Sequence, residues 1–169
     1  MRIRAATDTF PPVQPNIVKT RLIAVLASTL AFLAGCSQPA TEKAKAEILA
    51  ADKGFAEQSG KVGVKAAFMG VVTPDTKLLS DGALGPDAVR SAFATLPDTA
   101  TLTWEPSFVE VASSCDFGYT WGRYTLTVPL PKYGPKPFIR QGTYVTIWRR
   151  DASGKWKVAL DGGTPDGPK

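Results

Sequence analysis

The stretch that decides the fold is GTYVTIWRR, which occupies residues 142–150. β-Branched and aromatic residues fill it, and Tyr144 and Trp148 lie on one face because successive side chains of a strand point to opposite sides. The segment GKWKV at 154–158 has the same character, and the turn-forming residues at 151–154 separate the two stretches. Together they predict an antiparallel hairpin.

Outward from this hairpin, the chain keeps the two-residue period of strands. The joins are Ser113-Ser114, a proline-rich loop at 129–137 and the turn at 151–154, which are hairpin-like connections. No helical segment separates the strands, which excludes a doubly wound parallel sheet and favours an antiparallel meander. The predicted strands cover residues 101–111, 116–128, 138–150 and 155–161.

Before these strands, apolar residues recur at helical spacing. A first helix is predicted from the N-cap Thr41, a second around Phe68 and a third from Pro86, with a small hairpin at 77–84 that turns at Asp81-Gly82. The apolar stripes are Ala44, Ile48, Ala51 and Phe55, then Val64, Ala67, Phe68 and Val71, then Val89, Ala92, Phe93 and Leu96. The sequence therefore predicts an α+β domain in which three N-terminal helices pack in a strongly curved antiparallel β-sheet.

This order of elements resembles the cone-shaped nuclear transport factor 2-like fold. The hairpin at 142–150 and 154–158 is similar to the closing hairpin of the SnoaL-like, domain-of-unknown-function branch of that superfamily, and GYTWGRY at 118–124 is similar to the preceding strand. The resemblance covers about residues 41–161. It implies a pocket at the wide end of the cone, and it implies no single activity because the fold hosts isomerases, cyclases, dehydratases and non-catalytic modules.

Strand alternation sorts the side chains that could line such a pocket. Tyr119, Trp121 and Arg123 share one face of their strand, and Trp104 lies on the strand before it. We predict these four residues as the pocket, an aromatic cavity with a polar group that orients a small apolar ligand. The alternative is plain core packing, in which arginine stems cover aromatic rings.

The composition limits the possible chemistry. The chain contains no histidine and two cysteines, which excludes a Ser-His-Asp triad, a Cys-His pair, a His-ligated zinc and a thiolate cluster. We expect neither a cofactor nor a metal. The candidate catalytic groups are Asp81, Asp161 and Tyr119, a set that the ketosteroid-isomerase-like members of the fold suggest by their use of carboxylates and a tyrosine. A simpler interpretation makes Asp81 a turn former and Asp161 an exposed strand end.

An uncharged run of 14 residues at 22–35 follows Lys19 and Arg21, which is the composition of a signal peptide. It ends in LAGC at 33–36, which resembles the bacterial lipobox. The resemblance implies cleavage before Cys36, acylation of its thiol and anchoring to a membrane. Because Ser37 is not an inner-membrane retention aspartate, it implies, for a bacterium with two membranes, an outer-membrane lipoprotein that faces the periplasm.

The leader sets the domain boundaries. We predict a leader at 1–35, with a true start at Val18, a lipid-anchored tether at 36–40, a domain at 41–162 and a disordered tail at 163–169. Removing the leader leaves 16 basic and 14 acidic residues, so a nucleic-acid partner is not expected. If Cys36 is acylated, Cys115 has no partner within the chain.

Three functions follow from these features. We favour an envelope lipoprotein that binds a small apolar ligand or a protein without catalysis. A proton-transfer enzyme of the ketosteroid isomerase or polyketide cyclase type is the second hypothesis, and a structural envelope protein is the third. Because proteins of this fold often dimerise through the sheet, a homodimer is also expected.

Overall fold

The computed structural model describes residues 35–79, 83–130, 132 and 134–167. The predicted leader up to residue 34, the start at Val18 and the candidate Asp81 lie outside these residues. Among the helices within them, none has the length and apolar character needed to cross a membrane.

Three helices and five strands make up the described chain. The order is α1 (Gln38–Val62), α2 (Val64–Val71), β1 (Val72–Leu78), α3 (Gly85–Ala92), β2 (Thr101–Val111), β3 (Phe117–Val128), β4 (Phe138–Arg150) and β5 (Trp156–Pro165). The α+β class and the four long strands are as predicted. Only two helices precede the first strand, however, because β1 comes before α3.

The strands form one curved sheet in the order β1-β5-β4-β3-β2. Strands β2 to β5 pair antiparallel with their sequence neighbours, which confirms the meander. Of the predicted small hairpin at 77–84, the described residues show an antiparallel bridge between Lys77 and Leu84, and its turn at Asp81-Gly82 lies outside them. Strand β1 also pairs parallel with β5, which the sequence did not predict. Strand β1 begins at Val72, inside the segment predicted to end the second helix.

The predicted boundaries shift at both ends of the domain. Helix α1 begins at Gln38, so the predicted tether at 36–40 shrinks to two residues before the helix. Strand β5 continues through Pro165, so the first three of the seven residues of the predicted tail at 163–169 belong to the sheet. The continuation pairs with the first residues of β4, where Gly142 lies opposite Pro165.

The core lies between α1 and the concave face of the sheet. Trp148 of β4 is fully buried, and its indole Nε1 donates to Thr120 Oγ1 at 3.0 Å. Phe55 of α1 packs edge-on against Trp104 and Phe68, with ring centroids 4.6 and 4.7 Å away. Burial of these large rings supplies much of the hydrophobic stabilisation of the domain.

Close approach of α1 to the sheet decides which face of β3 points inward. A Cβ at Gly118 would lie 2.5 Å from the carbonyl oxygen of Glu110 on β2 and 2.7 Å from the Ile48 side chain, so this position admits only glycine. The inward face of β3 therefore carries Gly118, Thr120 and Gly122, all buried. The bulky residues between them point to the outside.

Cys36 and Cys115 form a disulfide, with their Cα atoms 6.0 Å apart. The expectation that Cys115 has no partner within the chain applied to an acylated Cys36, and in this structure the unacylated Cys36 is its partner. It joins the residue two before α1 to the turn between β2 and β3. Acylation of the Cys36 sulfur and this disulfide exclude each other, because both use the same sulfur atom.

Candidate functional site

A cavity of about 310 Å³ lies between the sheet and the helices. This volume is at the lower end of the range for small-molecule sites, roughly 300–1,000 Å³. Most of its wall is apolar or aromatic. The lining residues are Phe68, Leu78, Leu79, Ala92, Phe93, Leu96, Leu102, Trp104, Tyr124, Leu126, Arg140, Tyr144, Asp161, Gly162 and Gly163.

The cavity is open at one end. Phe68 and Tyr144 form its buried floor, whereas Leu79 is 61% exposed and Arg140 is exposed at its rim. Leu79 directly follows β1, and Arg140 is one of the first residues of β4. A molecule can therefore enter from solvent and bury its apolar part against the aromatic floor.

Asp161 places a carboxyl group inside this apolar cavity. Its Oδ2 accepts a hydrogen bond from the Thr146 hydroxyl at 2.6 Å. Burial raises the pKa of Asp161 to about 7. The hydrogen bond from Thr146 lowers this pKa and the charge of Asp52 raises it, each by less than burial does. A carboxyl group that titrates near neutrality can accept a hydrogen bond from a ligand or exchange a proton with it.

A β-bulge brings Asp161 to the inner face. Leu160 pairs with Ile147 but Val158 pairs with Trp148, so Ala159 is an extra residue in β5. Strict alternation from Trp156 would have placed Asp161 on the outer face. After the extra residue Ala159, each side chain of β5 points to the face opposite to the one that strict alternation gives. The carboxyl group of Asp161 therefore points inward.

Asp52 of α1 is a second buried carboxylate, behind the cavity wall. Its oxygens accept hydrogen bonds from Trp104 Nε1 and from the Tyr144 hydroxyl, both at 2.8 Å. Burial raises the pKa of Asp52, while the bonds from Trp104, Tyr144 and Thr120 oppose that rise. Burial and the neighbouring charge of Asp52 also raise the pKa of Tyr144. Both donors point away from the cavity, so their rings present apolar surface to it.

Tyr124 and Arg140 supply the polar groups toward the rim. The Tyr124 ring packs over Gly142 and Gly163, where an added Cβ would approach the ring to 2.5 and 3.1 Å. Glycine at Gly142 is therefore required for this ring position. The Arg140 guanidinium lies 5.4 Å from the centroid of the Phe138 ring, so it stays at the rim, whereas Asp161 lies deeper, opposite Thr146.

Of the four predicted pocket residues, Trp104 lines the cavity. Tyr119, Trp121 and Arg123 lie on the outer face of the sheet and are exposed, which corrects their prediction as pocket residues. The Arg123 guanidinium instead pairs with Asp166, with Nη1 and Oδ1 2.8 Å apart. The physical reason is the close approach of α1, which admits only small residues on the inner face of β3.

Among the predicted catalytic candidates, Asp161 lies in the cavity and Tyr119 does not. Asp52 and Tyr144 were not predicted as a pair. The signal was present, since Asp52 lies four residues after Ile48 and three before Phe55, on the apolar stripe of α1. A charged residue in such a stripe indicates a buried partner.

Comparison with known proteins gives the fold. No family model matches the sequence, and no curated protein was matched. Among solved structures, a nuclear transport factor 2-like superfamily protein from Salmonella enterica serovar Typhimurium superposes with a TM-score of 0.59 at 12% identity, over 76% of this chain and 94% of that one. A ketosteroid isomerase-like protein from Erwinia carotovora atroseptica gives 0.56 at 18% identity, over 71% and 95%. A hexachlorocyclohexane dehydrochlorinase gives 0.53 at 12% identity, over 72% and 86%.

The chain thus has the nuclear transport factor 2-like cone fold that its sequence resembles. At these identities the likeness defines architecture and not activity, because the same fold carries different chemistries. Within residues 35–79, 83–130, 132 and 134–167, no three potential metal ligands come together.

Proposed function

We propose that this chain is an envelope lipoprotein whose cavity binds a small, largely apolar molecule carrying one hydrogen-bond donor. The observation that carries the proposal is the Asp161 carboxyl group inside a wall of aromatic and aliphatic side chains. A donor group on the ligand would bond to this carboxyl group, and the ring or chain would bury against Phe68 and Trp104. The open rim argues against the structural hypothesis, in which the protein's own side chains would fill the cavity.

Two probe ligands test this binding: 2-naphthol and naphthalene, which share the same ring system and differ only in the hydroxyl group. We expect 2-naphthol to bind at least about tenfold more tightly, because a hydrogen bond to a charged group contributes about 1.5–3 kcal/mol. Leu126→Trp fills the cavity from β3 and is expected to abolish binding of both probes. Isothermal titration calorimetry measures both affinities.

The matched control is Ile139→Trp, at a 58% exposed position next to the same end of the sheet. It adds the same ring outside the cavity and should leave both affinities unchanged. Equal affinity of Leu126→Trp and the native chain for 2-naphthol would place the binding site elsewhere.

A second candidate function is proton transfer, and the near-neutral pKa of Asp161 favours it. Asp161 would remove a proton from a carbon next to a carbonyl group and return it to the same carbon. The expected result is deuterium incorporation into 2-tetralone in heavy water by the native chain and its loss in Asp161→Asn, followed by NMR. Equal incorporation by both proteins would eliminate this candidate and leave binding alone.

The proposed anchor is an acylated Cys36, in an outer membrane and facing the periplasm. Its support is the LAGC sequence at 33–36 after the uncharged run at 22–35. Acylation would replace the disulfide to Cys115 and leave that thiol free. Intact mass spectrometry of the membrane-extracted protein detects the added acyl groups, and Cys36→Ala is the unmodified control.

We also propose a homodimer through the outer aromatic patch, which consists of Phe108, Tyr119 and Trp121. Each residue of this patch is at least 38% exposed, and Phe108 lies 6.0 and 6.5 Å from the other two rings. The arginines on the same face pair within the chain, Arg123 with Asp166 and Arg149 with Asp75. A second copy could therefore cover the patch without burying an unpaired charge, and sedimentation analysis measures its association.

A further inference from the structure

We propose that the closed end of the domain rests on the polar surface of the bilayer, so that the cavity opens away from the anchoring membrane. This closed end consists of the turns at residues 112–116 and 151–155. The inference rests on the proposed acylation of Cys36. It states how the domain is oriented relative to the bilayer. This orientation in turn determines from which side a ligand enters the cavity.

The first argument is the shortness of the connection between lipid and domain. Helix α1 begins at Gln38, so Ser37 is the single residue between the acylated position and the helix. One extended residue spans about 3.5 Å, which is too little for the domain to swing away from the bilayer. The acyl chains must therefore leave the domain beside the start of α1.

The second argument is the place where Cys36 meets the sheet. Its backbone nitrogen donates to the carbonyl oxygen of Ser113 at 2.6 Å. Cleavage before Cys36 turns this nitrogen into the terminal nitrogen of the chain, which still carries hydrogen to donate to Ser113 when the sulfur carries a lipid instead of the disulfide to Cys115. Cys36 is thus held against the turn between β2 and β3, at the closed end.

Strand β4 gives the distance from this end to the cavity mouth. Arg150, its last residue, donates from Nε to the carbonyl oxygen of Cys115 at 3.1 Å. Arg140, near its first residue, lines the rim of the cavity. Ten residues of a strand span about 33 Å, so the anchor and the mouth lie at opposite ends of the sheet.

The closed end has the chemistry of a surface that meets lipid headgroups. Ser113, Ser114 and Ser153 are exposed in its turns, and Lys155 and Asp116 add charge of both signs. Small polar side chains fit the hydrated headgroup layer and would not insert among acyl chains. A ligand therefore reaches the cavity from the aqueous phase or from a soluble carrier, and not by lateral transfer out of the leaflet that holds the anchor.

The test uses the full acylated protein in vesicles of phosphatidylethanolamine and phosphatidylglycerol that contain a nitroxide-headgroup lipid. A bimane fluorophore is attached to Ser153→Cys at the closed end or to Ile139→Cys at the mouth, each in a Cys115→Ser background. We expect severalfold stronger quenching of the label at position 153. Equal quenching, or stronger quenching at position 139, would overturn the inferred orientation.

A second measurement avoids the substitution at Cys115. Hydrogen–deuterium exchange of the acylated protein on the same vesicles should slow at 112–116 and 151–155, relative to a chain that begins at Ser37 and carries no lipid, and stay unchanged at 134–140. Slowing at 134–140 instead would contradict the orientation. Intact mass is recorded first: absence of acyl groups rejects the proposed anchor, whereas acylated protein with the wrong quenching pattern rejects only the orientation.

Discussion

Asp52→Ala is expected to reduce the free energy of unfolding by about 3–5 kcal/mol. The substitution leaves Trp104 Nε1 and the Tyr144 hydroxyl without their acceptor in the interior, and it opens a small cavity under both rings. Removing an acceptor from buried donors costs their full desolvation, which exceeds the net value of the hydrogen bonds themselves. Urea denaturation of the variant and the native chain measures the difference.

Two companion variants separate this effect from a general weakness of α1. Asp52→Asn should cost less than alanine, because its amide oxygen accepts from Trp104 while the Tyr144 hydroxyl can rotate and accept from the amide nitrogen. Glu57→Ala, at an exposed position on the same helix, should change stability by no more than about 0.5 kcal/mol. If Asp52→Ala lowered the free energy of unfolding by no more than Glu57→Ala does, Trp104 and Tyr144 would have other acceptors. The proposed role of Asp52 would then be wrong.

Asp161→Asn is expected to become more stable relative to the native chain as pH rises from about 4 to about 7. The pKa of Asp161 in the folded protein is about 7, above the value of about 3.9 in an unfolded chain. In this window the folded state holds more protons than the unfolded state, so the stability of the native chain falls as pH rises and levels off above the folded pKa. The amide of asparagine does not titrate and avoids that loss.

The size of this effect follows from the shift. Three pKa units correspond to about 4 kcal/mol, and the partial exposure of the residue reduces the expected difference to about 2–4 kcal/mol. Urea denaturation at about pH 4.5 and pH 8 measures it, and Thr146→Val, which removes the hydrogen bond to Asp161, should enlarge the loss. A constant difference between Asp161→Asn and the native chain at both pH values would mean that Asp161 ionises normally in the folded protein.

The sequence predicted the long strands well because their period and turn residues are local signals. The predicted bounds at 101–111 and 138–150 agree with β2 and β4. It missed β1, which carries Pro74 and pairs with a strand about 85 residues later in the chain. Parallel pairing over that separation leaves no local pattern, and the nearby turn signal at Asp81-Gly82 favoured a hairpin instead.

The site was harder to predict than the fold because two bulges and one close contact decide which side chains face inward. Ala159 turns Asp161 into the cavity, and an extra residue at Ser107 turns Phe108 outward opposite Trp121. Strict alternation along the strand would place each of these two residues on the opposite face. On β3 the aromatic face looked like the pocket, but contact of Ile48 with Gly118 requires the glycine face inside. Neither effect can be read without the packing of α1 on the sheet.

The most direct test of a ligand site in this cavity is to map the position of 2-naphthol by two-dimensional NMR. We predict that the largest shift changes fall on Leu102, Leu126 and Asp161, with Trp121 and Tyr119 unaffected. Shift changes confined to the outer aromatic patch, with the cavity residues unchanged, would contradict the account.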